Sequence, residues 1–198
     1  MPLEFSGQSL TLSLKPGSLD VGLKFLDGEW AGEAWGILEG ETYTVDSAGV
    51  VSWERDETIE FHLHGYRYFF FVPFLLSDAD LITYAGSREL HGETYDLVYA
   101  TWDRWEPHES ADQYLLWIHR ETLLVDFVQS TVREMMPRSI VALSLTDYRE
   151  VLGIRLPFSL KILEDIEVLD AGMHHMRIQS VESATEDASS LLRVRAAP

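Results

Sequence analysis

The sequence predicts one strand-dominated domain built on a large curved antiparallel sheet. Apolar and polar residues alternate along most of the chain, as in Leu10-Thr11-Leu12-Ser13-Leu14. That is the pattern of a strand with one face buried. Turn residues punctuate such runs at roughly 8–12-residue spacing, which suits a sandwich, a barrel or an open curved sheet. At 198 residues the chain can bury roughly 70% of its unfolded surface and needs no disulfide or metal to hold a core.

Taken in order, the first alternation ends at Lys15-Pro16-Gly17-Ser18, a turn, and Leu19, Val21, Leu23 and Phe25 begin a second one before Asp27-Gly28. Strands are then expected over residues 32–38, 41–45, 50–55 and 58–64, separated by Gly40 and by Ser47-Ala48-Gly49. The second half reads as strands over 81–89, 94–102, 113–119, 124–133, 140–148, 154–162 and 174–181. One stretch departs from this. Residues 66–76 are apolar at nearly every position, too short to span a bilayer, and interrupted by Pro73. They read as a short buried helical or irregular segment packed on one sheet face and ending at Ser77-Asp78. No repeat or linker is visible. Residues 1–182 are therefore expected to form one domain, and the small, polar stretch 183–198 a tail that frays.

Composition excludes several classes. With 46% hydrophobic and 12% aromatic residues, disorder is not the general state. The chain has no cysteine, which removes disulfides, thiolate metal sites and cysteine nucleophiles but leaves the compartment open. A formal charge of −18, from 33 acids and 15 bases, makes nucleic acid and anionic membranes poor partners. Ten acids and one base, Arg55, lie between Asp27 and Glu60. A cationic partner or a solvated edge accounts for them. No apolar run is long enough for a transmembrane helix. Met1-Pro2-Leu3-Glu4-Phe5 lacks the features of a leader, which leaves a cytoplasmic protein or a chain whose leader has been removed.

Chemistry-bearing motifs are sparse. His62-Leu63-His64, if on a strand, would point both imidazoles to one face at metal-ligand spacing. The residues that follow supply no glutamate companion, so no metal is expected there. His174 and His175 are adjacent and would face opposite ways. Asp103, Glu106, His108 and Glu109 lie in a polar loop, suited to acid–base work or to nothing beyond a solvated hairpin. No nucleophile elbow, catalytic triad or phosphate loop is present. No cofactor and no enzymatic activity are expected.

Aromatics are the unusual feature: Tyr66, Tyr68, Phe69, Phe70, Phe71 and Phe74 cluster in sequence, with Trp102, Trp105 and Trp117 nearby in strand order. Two strands are also apolar on both faces. Tyr95, Leu97 and Tyr99 oppose Val98, Ala100 and Trp102, and Tyr114, Leu116 and Ile118 oppose Leu115 and Trp117. A sheet with one wet face would not read this way. A helix, residues 66–76, another chain or an apolar ligand must cover the second face.

The residues 66–76 (YRYFFFVPFLL), Tyr84-Ala85-Gly86, Leu90-His91-Gly92-Glu93-Thr94-Tyr95-Asp96-Leu97-Val98, Tyr114-Leu115-Leu116-Trp117-Ile118-His119-Arg120-Glu121-Thr122, Asp147-Tyr148-Arg149 and Gly153-Ile154-Arg155-Leu156-Pro157 together resemble the lipoprotein-carrier (LolA/LolB-like) superfamily. They are most similar to a bacterial outer-membrane lipoprotein-sorting-like subfamily of it. The resemblance implies an unclosed half β-barrel of roughly eleven strands, with one or two short helical segments across its concave face. It also implies an acylated or lipid-like ligand there, and a periplasmic or cell-envelope location where a leader has been removed. The family's N-terminal helix and leader are not visible.

These readings converge on a non-enzymatic protein that holds an apolar or acylated ligand in a concave aromatic-lined cavity. The expected lining is Tyr66, Phe69, Phe70, Phe74, Trp102 and Trp117. The alternative is an interaction module whose doubly apolar sheet is covered by a partner or a second copy, and less favoured is an enzyme centred on His62, His64 and the Asp103 loop.

Overall fold

The computed structural model describes residues 7–15, 17–76, 79–109, 111–133, 136–170 and 172–183. The expected frayed tail beyond Ser183 and the Ser77-Asp78 stop lie outside them. The chain is mainly β and antiparallel, and neither of its two sheets closes on itself. By contacts it divides into two compact units whose boundary along the chain falls at Phe70 and Phe71.

The first unit carries β1 (Leu10–Leu14), β2 (Val21–Phe25), β3 (Ala34–Leu38), β4 (Glu41–Val45) and β5 (Val51–Ser52), hydrogen-bonded in that order as a meander. Glu39-Gly40 joins β3 to β4 with both residues at positive φ, 53° and 87°. That is the backbone of a two-residue hairpin matching the strand twist, and His91-Gly92 and Leu152-Gly153 repeat it later. Alternate residues of β2 and β3 build one face: Val21, Leu23, Phe25, Trp35 and Ile37 are buried together. The opposite face is built around Tyr43, which is fully buried. Its ring lies where a Cβ on Gly36 would be, so glycine at 36 is a packing requirement.

Residues 57–75 form α1 (Glu57–Leu75). This corrects the expected strand over 58–64, and it also extends the short segment expected over 66–76. Thr58-Ile59-Glu60-Phe61-His62-Leu63-His64 alternates, but Asp56 precedes it. The Asp56 carboxylate accepts hydrogen bonds from the backbone N–H groups of Thr58 (2.8 Å) and Ile59 (3.0 Å), an N-cap. Glu57 and Glu60 sit in the first turn, where the helix dipole favours acids. Ile59 and Leu63, one turn apart, are buried against the β2–β3 face with Tyr66 beside them. Arg67 donates to the Ser18 carbonyl at 2.9 Å. Capping and i, i+4 burial thus override the local alternation. His62 and His64, two apart on a helix, cannot share a face.

The second unit contains β6 (Leu81–Leu90), β7 (Glu93–Thr101), β8 (Tyr114–His119), β9 (Val125–Val132), β10 (Met136–Val151), β11 (Ile154–Leu163) and β12 (Gly172–Arg177). They hydrogen-bond in reverse chain order, again as a meander. One face packs Tyr95, Leu97, Trp117, Phe127, Ala142 and Leu163 under Ile166 from the β11–β12 connection. His91 holds that connection through a 2.8 Å contact between Nε2 and the Ile166 carbonyl. The two-sided apolarity read from the sequence is real. Ala142, Leu143, Ser144 and Leu145 are consecutive and all buried, so both faces are covered at the sheet centre. A β-bulge between Trp117 and Ile118 leaves Asp126 beside Phe127 as the extra residue of β9, and bulges re-aim side chains.

Burial has a measurable consequence for the tyrosines. It raises Tyr66 and Tyr95 to about 12, and it lifts Tyr43, Tyr114 and Tyr148 further still. A group raised in the fold contributes stability that is full below its unfolded value of 10.0 and is lost as pH rises through the native value. Spectrophotometric titration should therefore show only part of the eight tyrosines ionising near pH 10, with the rest following alkaline unfolding. Reversible ionisation of all eight near pH 10 would contradict the packing.

Candidate functional site

The residues expected to line a ligand site fall in different places. Tyr66, Phe69, Phe70 and Phe74 are all on α1, and their i, i+3, i+4, i+8 spacing puts them on one face of the helix. That face begins as core, with Ile59 and Leu63 8% and 1% exposed, and continues as surface, with Phe74 43% exposed. Tyr66, Phe69 and Phe70 are half-buried. Phe71 and Phe74 meet edge to face at 6.2 Å, as Tyr68 and Phe69 do at 5.8 Å. The helix is thus aromatic nearly all round in its second half, with rings left partly in water.

The two tryptophans belong to the second unit, Trp102 just after β7 and Trp117 in β8. Trp102 stands edge-on to Tyr114 at 5.6 Å and is half-buried. Trp117 is 5% exposed in the core of the second unit. Its ring is edge-on to Tyr95 at 5.9 Å, and its Nε1 donates to Gln129 at 2.9 Å.

Among the described residues no group of three or more His, Asp or Glu is placed to hold a metal. His62 contacts the Thr58 carbonyl through Nδ1 at 2.7 Å. In the polar β7–β8 loop Asp103 pairs with Arg104 at 2.8 Å, both well exposed. At the far end of β7 and β8 the Tyr95 hydroxyl donates to Asp126 (3.3 Å). His119 accepts at Nδ1 from the Glu121 and Thr122 N–H groups, which leaves Nε2 to donate to Glu93 at 3.2 Å. Burial raises Asp126 above the usual carboxylate range, against the Tyr95 hydrogen bond, which lowers it. Each of these polar groups has a partner in the fold.

The sequence reading missed a cleft of about 520 Å³ in the first unit. Leu19, Ile37 and Trp53 supply its apolar wall, and Glu41, Thr42, Arg55, Glu60 and His64 its polar groups. Glu60 and His64 are one turn apart on α1. The Thr42 hydroxyl donates to Glu60 at 2.6 Å and Arg55 Nε to its other oxygen at 3.2 Å. Those bonds, the Thr42 one foremost, hold Glu60 below the usual carboxylate range. The acid-rich run between Asp27 and Glu60 was the available signal. It could not be resolved into a site while residues 58–64 read as a strand.

No protein-family profile matches the chain, and no curated protein sequence matches it. Solved structures do. The chain is similar to a DUF1329 family protein from Desulfovibrio piger, at 12% identity and TM-score 0.47, over 78% of this chain and 70% of that one. It is also similar to a putative outer membrane lipoprotein-sorting protein domain from Vibrio parahaemolyticus, at 9% identity and TM-score 0.48, over 92% and 82%. A LolA superfamily protein from Nitrosomonas europaea stands at 9% identity and TM-score 0.48, over 88% and 79%.

Proposed function

We propose that this chain is a non-enzymatic binding protein that holds an apolar or acylated ligand against the aromatic face of α1. The observation that carries the reading is the stripe that starts as core at Ile59 and Leu63 and continues as half-exposed rings through Phe70 to Phe74. Contiguous exposed apolar surface marks a place where something apolar docks. Tyr66, Phe69, Phe70 and Phe74 are the residues assigned to it, and Trp102 and Trp117 stand as separate candidates, each to be judged by its own variant. The acylated character of the ligand, and a periplasmic or cell-envelope setting, rest on the lipoprotein-carrier resemblance.

A fluorescent fatty acid should bind the purified protein saturably. Phe74→Asp should weaken that binding at least about tenfold, because it sets an unpaired carboxylate against hydrocarbon. Phe74 is partly in water, so the thermal midpoint should move little. Absence of saturable binding, or binding indifferent to Phe74→Asp, would sink the assignment.

A second reading has one observation in its favour. Strand β6 is an edge of its sheet and exposes Ile82 (48%) and Tyr84 (62%), as an interaction module pairing with a partner or a second copy would. A register shift between Tyr84 and Ser87 interrupts that edge, which weighs against strand addition there.

A further inference from the structure

The β12 edge of the second sheet carries a patch of basic side chains. Strands β11 and β12 pair with Ser159 opposite Arg177 and Lys161 opposite His175. Residues opposite one another share a sheet face, as do residues two apart on a strand, so these four stand together. Their Cα atoms mark a box of about 5 Å by 7 Å. One diagonal is already tied, where the Ser159 hydroxyl and His175 Nε2 meet at 2.8 Å. Ser144 and Thr146 of β10 continue the face without charge, and β12 ends the sheet. Neither Lys161 nor Arg177 has an ion pair among the described residues. In a chain of 33 acids and 15 bases, that concentrates unbalanced positive charge on one face. Burial, then the charges of Arg177 and Lys161, hold His175 below the ordinary histidine range. It is therefore neutral at pH 7.5 and takes up a proton more readily once an anion lies beside it.

We infer that this face binds the phosphate group of a small phosphorylated molecule. Arg177 offers a planar fork of donors suited to two phosphate oxygens, and Lys161 a second full charge. Two fixed positive charges match a dianion better than a carboxylate. A protonated His175 donates from Nε2 to Ser159, which frees the Ser159 hydroxyl hydrogen for the ligand. The site uses none of the residues assigned to the aromatic face of α1, so the inference stands apart from the proposed function.

The test is calorimetric titration of the whole protein with glycerol 3-phosphate, sulfate and acetate. Glycerol 3-phosphate should bind saturably, with affinity falling as salt rises. Acetate, with half the charge, should bind at least about tenfold more weakly. Arg177→Gln and Lys161→Gln should each weaken glycerol 3-phosphate about tenfold. The thermal midpoint should move little, because neither side chain has an ion pair to lose. Sulfate keeps its charge across this range, so its pH dependence reports on His175. Its affinity should rise about threefold or more between about pH 7.5 and about pH 5.5, and stay flat in His175→Gln. No saturable binding of glycerol 3-phosphate, equal binding of acetate, indifference to Arg177→Gln, or sulfate affinity independent of pH would overturn the assignment. Phosphatidic acid vesicles that bind where the soluble ester does not would overturn it too, because the face would then serve a lipid surface.

Discussion

Trp117→Ala is expected to destabilise the protein by about 3–5 kcal/mol, the range for truncating a buried large aromatic. The ring is nearly inaccessible and packs on Tyr95 within a core that also holds Phe127, Ala142 and Leu163. Removing it leaves a cavity that a sheet hydrogen-bonded on both sides cannot collapse to fill, since β8 is paired with β7 and β9. It also strips Gln129 of its indole donor. Urea denaturation of parent and variant measures the loss. Fatty-acid binding by the fraction that remains folded should be unchanged, which places Trp117 in the core. Lost binding in a variant of near-parental stability would make it a lining residue, as the sequence had suggested.

Gly36→Ala should also be costly, although it adds a single methyl group. Gly36 pairs with Tyr43 across β3 and β4, and the new Cβ would collide with the Tyr43 ring, which has no exposed surface to retreat into. Behind that ring stands Trp53, at 5.4 Å between centroids. Overpacking of this kind costs about 1–3 kcal/mol. Combining it with Tyr43→Leu should cost less than the sum of the two single changes, because the clash disappears with the ring. Strict additivity in urea denaturation would show that the ring does not lie on Gly36.

Most strands were legible because their signal is local. In β6 to β11 alternation and x-Gly hairpins agree, so the expected spans differ from the observed ones by a few residues at the ends. The helix was not, because 58–64 satisfies a period of two and a period of 3.6 at once. Ile59 and Leu63 fit both, and only the Asp56 cap and the contact with β2 and β3 decide between them. The candidate sites divide in the same way. The aromatic run around Tyr66 and Phe70 is visible as composition, although the sequence cannot say which rings stay in water. The cleft takes Leu19, Ile37, Trp53 and Glu60 from separate elements, and no short window of sequence contains it.

The central claim, that the aromatic face of α1 meets an apolar chain, is tested most directly by a fatty-acid length series. Displacement of a fluorescent fatty acid by saturated acids of increasing length would be measured on the parent protein and on Phe74→Asp. Each buried methylene is worth about 0.8 kcal/mol, so affinity should rise by about fourfold per carbon until the aromatic face is covered, and the rise should flatten in the variant. Affinity independent of chain length, or the same slope in Phe74→Asp as in the parent protein, would contradict it.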